Sequence, residues 1–211
     1  VNIALKEKKR VASRELICGE ALLIAEENGW EKLTVRALSE RLGYAPPILY
    51  QHFESKEHLL CDIVASGFDR LNASMEKAAE APGDSGEKLV RVARARFRFA
   101  VNHKALHNLM FGAGGPCRRP ESAYKQMCRA EAIVTRLLCL TASGGKISDA
   151  PDDGRELLIN FIALIKGYTY FAAEMPEEAA RAAFFQNQNP EDALALAMER
   201  FISSIQSINR S

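Results

Sequence analysis

Long apolar runs are missing from this sequence. The longest, Leu157 to Ala173, is broken by Asn160 and Lys166, short of the roughly 20 consecutive apolar residues that cross a bilayer. Lys6, Lys8, Lys9 and Arg10 near the N-terminus lack the apolar segment of a secretory leader. A cytoplasmic protein with no membrane partner is expected, the basic run being either a frayed, solvated end or an arm for an adjacent DNA groove. Cysteine pairing is missing too. Cys18, Cys61, Cys117, Cys128 and Cys139 are odd in number, widely spaced and without a C-x-x-C pair, so neither a disulfide framework nor a zinc site is indicated. Most read as small core residues. Cys117 sits in the loop Gly112–Pro120 beside Arg118 and Arg119, cations that favour a thiolate; an incidental thiol and a redox sensor both stay open there.

Charge of one sign is also lacking. Lys and Arg total 28 against 27 Asp and Glu, a net +1, so nucleic-acid binding has to be argued from placement rather than from the sum. Catalytic constellations are absent as well: no Gly-rich phosphate loop, nucleophile elbow or defensible pair of carboxylates stands out. His103 and His107 are four apart on an expected helix, but no Glu follows His103 and no third ligand is evident. No catalytic residue, metal site or cofactor is expected, and the chain reads as a non-enzyme.

What the sequence has is helical periodicity. With 211 residues, 47% apolar and 26% charged, the chain holds one large domain, or a small one fused to a medium one. No alternating β-branched stretch competes with the 3.6-residue period, and the fold class is all-α. A first helix is expected over Val11–Asn28, with Ile17, Ala21, Ile24 and Ala25 on one face and Gly29 as its stop. Thr34 caps a short helix ending near Leu42, closed by Gly43. Pro46 and Pro47 suit the first turn of a third helix reaching Phe53, where a missing N–H costs little, and Ser55 caps a long helix to about Ala79. Further helices are expected at 87–103, 104–111, 121–141, 154–174 and 191–209, with Asn189 and Pro190 opening the last and 176–185 ambiguous.

Two short helices joined by a glycine-containing turn and packed on a longer one outline a helix-turn-helix. In that geometry the second short helix enters the major groove, which gives Tyr44, Ala45, Pro46, Pro47 and Ile48 to base edges. The first crosses the backbone, which gives Thr34 and Arg36 to phosphates. The segment Thr34–Leu60, with Gly43, Leu49-Tyr50-x-His52-Phe53 and Ser55-Lys56-Glu57-x-Leu59, resembles the signature of the tetracycline-repressor (TetR) family of transcriptional regulators. The resemblance implies that Tyr50, His52 and Lys56 bind phosphate and that Phe53 packs the domain core; a lysine at a helix N-terminus is also physically a ready anion site. The sequence departs from the family pattern in having Ala45 for a small polar residue, Pro47 for a glycine and Ile48 for a threonine or serine. Readout then leans on Tyr44, Gln51 and apolar contacts such as thymine methyls.

The expected division is a DNA-binding domain over 1–56 and a helical ligand-binding and dimerisation domain over 57–211. The resemblance implies double-stranded DNA with a palindromic operator as partner, a homodimer, and most simply a repressor released by a small-molecule ligand of unknown identity. An activator, or regulation by a protein partner, stays open. Leu158, Ile162 and Ile165, with Leu194, Met198, Phe201, Ile202 and Ile205 at helical spacing, are assigned to an isologous dimer interface. A ligand pocket is assigned to Phe68, Leu71, Phe97, Met110, Phe111, Tyr124, Met127, Phe161 and Tyr168, with ordinary close packing as the alternative. Arg91, Arg94 and Arg98 share one helix face, either a solvated surface or a seat for acidic groups.

Overall fold

A computed structural model describes residues 2–112, 121–144, 154–175, 178–186 and 188–208; Cys117 lies outside them. Every regular element among the described residues is helical. In chain order they are α1 (Asn2–Asn28), a 3-10 turn (Trp30–Lys32), α2 (Val35–Leu42), α3 (Pro46–Tyr50), α4 (Lys56–Glu80), α5 (Ser85–Asn102), α6 (Lys104–Phe111), α7 (Glu121–Ala142), α8 (Gly154–Thr169), a π-helical turn (Tyr170–Glu174), α9 (Glu178–Phe185) and α10 (Pro190–Ile208).

The local chemistry fixes most of these ends. α1 starts earlier than the expected Val11, because no glycine or proline interrupts residues 2–18. Gly29, with φ +86°, turns the chain out of it. Thr34 Oγ1 accepts from Ala37 N at 3.0 Å to cap α2, and Gly43, at φ +66° and ψ +27°, closes it in the left-handed region. Both prolines occupy the first turn of α3. That helix ends at Tyr50, short of the expected Phe53, although Phe53 N still donates to Leu49 O at 2.9 Å. Ser55 Oγ accepts from His58 N at 3.1 Å at the head of α4. α5 starts at Ser85 rather than residue 87 because Asp84 and Glu87 form a reciprocal capping box: Glu87 N donates to Asp84 Oδ1 at 2.8 Å, and Asp84 N to Glu87 Oε2 at 3.1 Å. Asn189 Oδ1 accepts from Glu191 N at 2.8 Å in front of Pro190, the first residue of α10.

The chain divides into two compact units, residues 1–67 with 104–124, and residues 68–103 with 125–211. The first part of α4 and the whole of α6 thus fall in the same compact unit as the helix-turn-helix. Packing explains this. Leu59 of α4 joins Ile17, Leu33, Leu38, Leu49 and Phe53 in one apolar cluster, all six buried. α6 packs on α1, Trp30 Nε1 of the following 3-10 turn donates to Ala105 O at 2.9 Å, and a Cβ on Gly67 would lie 2.6 Å from Met110 Sδ. In the second unit α5 packs against both α8 and α10, which also touch each other. Leu89, Val92, Phe161, Ile165, Leu194 and Met198 are buried there, each such side chain contributing about 1.5–3 kcal/mol on folding. Arg96 is buried among the charged residues of the same unit; burial lowers its guanidinium to about 10 against the raising pull of Glu131, so it is still charged at neutral pH.

Candidate DNA interface and ligand cavity

The α2–turn–α3 segment presents what a groove reader needs to present. Ala45, Pro46, Pro47, Ile48, Tyr50 and Gln51 are exposed and Tyr44 is half-buried, while Leu49 points into the core. With Pro46 and Pro47 at the first two helical positions, two of the amides that a helix start usually offers to an anion do not exist. The head of α3 is therefore an apolar tip. Anion-seeking groups stand on either side of it in the chain. Thr34 accepts from Ala37 N and keeps its O–H proton to donate. Arg36 is paired only with Glu40, Nε to Oε1 at 2.8 Å, with both side chains largely exposed; such a surface pair is weak enough to exchange for phosphate. Lys56, exposed at the head of α4, has only a long 3.5 Å contact from Nζ to Trp30 O. His52 is half-buried with Nδ1 covered and lacking a hydrogen-bond partner, which leaves Nε2 as the atom for a phosphate.

The residue that sequence reasoning missed is Arg14. Its Nη1 donates to His52 O at 2.8 Å, its Nε donates to Asp62 Oδ2 at 3.2 Å, and its guanidinium carbon lies 4.6 Å from the centre of the Phe53 ring. One side chain of α1 thus holds the exit of the helix-turn-helix against the start of α4. The signal was its position: Arg14 falls in register with Ile17 and Ala21, a charge within an apolar stripe. Arg41 adds a second brace, with Nε on Glu20 and Nη1 on Glu27, each at 2.7 Å, tying α2 to α1. Replacing Arg14 with alanine is expected to lower the stability of this unit by about 2 kcal/mol. A shift of the urea midpoint measures it; an unchanged midpoint would show the brace to be idle. Cys18 lies in this unit, its thiol pushed up to about 12, first by burial and then by Asp62, so it is an unreactive thiol at neutral pH.

The second unit contains a cavity of about 1070 Å³. Ala79, Ala132, Ile133, Leu137 and Leu140 give it an apolar surface, and Lys88, Arg129 and Arg136 bring positive charge beside the carboxylates of Glu76, Glu80 and Asp84. Arg129 is tied to Glu76, Nε to Oε1 at 2.7 Å, whereas Arg136 is exposed. None of the nine side chains assigned to a pocket from the sequence lines this cavity. Phe68, Leu71, Phe97 and Phe161 are buried core of the second unit, with Met127 and Tyr168 half-buried; Met110, Phe111 and Tyr124 belong to the first, and Tyr124 is exposed. A ligand among the buried members needs packed side chains to separate.

The proposed interface residues divide in the same way. Ile165, Leu194, Met198, Ile202 and Ile205 are covered within the single chain, because α10 is packed on α5 and α8. Leu158, Ile162 and Phe201 are half-buried. The apolar groups that α8 and α10 leave outside are Ile159 and Leu196, 58% and 44% exposed. Periodicity gives the spacing of such a stripe and not which neighbour covers each member. Among the described residues no group of three or more His, Cys, Asp or Glu is arranged to hold a metal ion, and no helix is long and apolar enough to cross a membrane.

Comparison with known proteins agrees with this geometry. Residues 19–63 match the family described as bacterial regulatory proteins, tetR family. The HTH-type transcriptional repressor KstR of Mycolicibacterium smegmatis is 33% identical over 94 residues, 42% of this chain and 46% of KstR; the match thus spans under half the length of that relative. The TetR family transcriptional regulator PfmR from Thermus thermophilus is 22% identical with a TM-score of 0.64, over 89% of this chain and 97% of that one. FadR from Bacillus subtilis, solved in complex with stearoyl-CoA, is 16% identical with a TM-score of 0.63, over 88% and 95% of the two chains. At these identities the two structures establish the shared fold. Over residues 19–63 this chain is thus similar to the tetR family of bacterial regulatory proteins, and over nearly its whole length it shares the fold of those two structures.

Proposed function

We propose that this protein is a transcriptional repressor that binds a palindromic operator as a homodimer and releases it when a small amphipathic ligand occupies the second unit. The observation that carries the DNA reading is the exposed α3 tip, Ala45 to Ile48, with Thr34, Arg36, Tyr50, His52 and Lys56 available for phosphate. Phosphate contacts set register, while base edges are read by Tyr44, Gln51 and the apolar Pro47 and Ile48. Because Pro47 and Ile48 have no side-chain donors, thymine methyls are the fitting counterpart, and the operator half-site should be rich in thymine at the positions facing α3.

For the ligand, the cavity's apolar surface, with the exposed Arg136 at its wall, favours an apolar body whose anionic head meets Arg136, and the stearoyl-CoA bound by FadR is a molecule of that kind. α4 begins at Lys56, in the DNA-binding unit, and contributes Glu76, Ala79 and Glu80 to the cavity wall. A ligand that moves α4 therefore acts on the residue that grips phosphate. Stearoyl-CoA and free octadecanoate are the probes. Each is titrated against the protein bound to a duplex selected from a random pool, and fluorescence anisotropy reads release. Coupling of about 1–3 kcal/mol weakens binding roughly 5- to 150-fold, and Arg136→Ala should blunt the effect. Equal affinity with and without both probes would overturn the proposed ligand class.

A further inference from the structure

The arginine face singled out in the sequence, Arg91, Arg94 and Arg98, has a destination in the second unit. It forms one wall of a groove of about 620 Å³ whose other wall is α4, with Arg70, Ser74 and Lys77. His103, at the end of α5, lines the same groove, and among the described residues no carboxylate lines it. Part of this charge is accounted for within the fold. Arg94 Nη1 and Arg98 Nε donate to Glu191 at 2.8 and 2.7 Å, so α10 fixes the two guanidinium groups in place. Arg91 donates to the carbonyls of Ala78, Ala81 and Pro82, closing the C-terminal end of α4. Among the described residues no carboxylate pairs with Arg70, Lys77 or Arg91. Arg70 Nη2 instead donates to His103 Nε2 at 3.2 Å, an imidazole nitrogen that accepts and so brings no charge of its own.

Glu191 and Asp192 answer Arg94 and Arg98, so the positive charge left for an anion is that of the exposed Arg70 and Lys77 on the facing wall. A single carboxylate answers only one of them. Guanidinium forks match phosphate oxygens bidentately, and Ser74 adds a hydroxyl donor. The groove's volume lies within the range of small-molecule sites. We propose that this α4–α5 groove is a second ligand site that takes a small molecule carrying two linked phosphate groups, such as a nucleoside diphosphate, with Arg70 and Lys77 as the primary contacts. The site shares no lining residue with the 1070 Å³ cavity, so it stands or falls independently of the ligand proposed there.

Calorimetric titration of the full chain with ADP and with inorganic pyrophosphate, at about 0.15 M salt where diffuse attraction is screened, tests it. One saturable site per chain is expected for both. Arg70→Ala with Lys77→Ala should weaken it at least about tenfold, a loss of ~1.4 kcal/mol, while Lys56→Ala, in the DNA-binding unit, leaves it unchanged. Arg70→Gln with Lys77→Gln, which keeps the length of the side chains, should behave as the alanine pair does, and far-ultraviolet circular dichroism should show all variants folded. Absence of binding at millimolar concentration would overturn the proposal, as would equal binding by the Arg70/Lys77 variants or loss with Lys56→Ala. Saturable binding of duplex DNA at this groove, in a Tyr50→Ala, Lys56→Ala background and sensitive to Arg70→Ala, would replace it with a nucleic-acid surface.

Discussion

Replacing Tyr50 and Lys56 together by alanine is expected to weaken operator binding by about 3 kcal/mol, roughly 150-fold. The figure follows from symmetry, because a dimer loses four phosphate contacts. Lys56 is exposed and makes only a long contact to Trp30 O, and Tyr50 is 55% exposed, so neither supports the core and the variant should unfold at the parent temperature. Removing two cations per dimer should also flatten the slope of log affinity against log salt by about 2. The loss should be nearly the same for operator and for unrelated duplex, since phosphate contacts carry little sequence information. An unchanged affinity would remove these two side chains from the interface; a loss confined to the operator would make them base readers.

The second large effect is expected at the outer faces of α8 and α10. Ile159→Arg with Leu196→Arg places two charges where a partner chain would bury apolar surface, while leaving Leu194, Met198 and Ile202 in the interior of the chain. Burying an unpaired guanidinium costs several kcal/mol, more than a moderate interface can absorb. Sedimentation should show a monomer. Affinity for a palindromic duplex should fall by about a thousandfold, because the linked half-site then contributes nothing as a local concentration. The contrasting control is Leu194→Ala, a core truncation expected to lower stability by about 2–5 kcal/mol without a specific effect on association of the folded protein. A dimer that persists in the double-arginine variant would place the interface elsewhere.

The DNA-binding segment was legible in the sequence because its ends are set by local chemistry. Thr34, Gly43, Pro46 and Ser55 each act within four residues of themselves, and the structure places all four as their chemistry requires. The start of α5 was legible in principle, since Asp84 and Glu87 have capping-box spacing, but the neighbouring Pro82 and Gly83 read as loop. What could not be read were the long-range partners. Arg14 meets residues 38 and 48 positions away, and nothing local marks His52 O or Asp62 as its targets. The degree to which each apolar side chain is covered was equally illegible. Phe68 and Phe161 are as apolar as any ligand-lining residue, but both are fully covered by the chain's own packing. The Arg91, Arg94 and Arg98 face was visible as a stripe, but neither Glu191 nor the facing Arg70 and Lys77 could be paired with it by spacing alone.

The most direct test of the central claim is repeated selection of random duplex DNA by the purified chain, followed by sequencing. A palindromic consensus is predicted, with half-site centres one helical turn apart or a multiple of it and thymine enriched where the α3 tip sits. The Tyr50→Ala, Lys56→Ala chain should recover far less DNA. Unenriched pools, or a consensus recovered equally well by that variant, would contradict DNA recognition by α2 and α3.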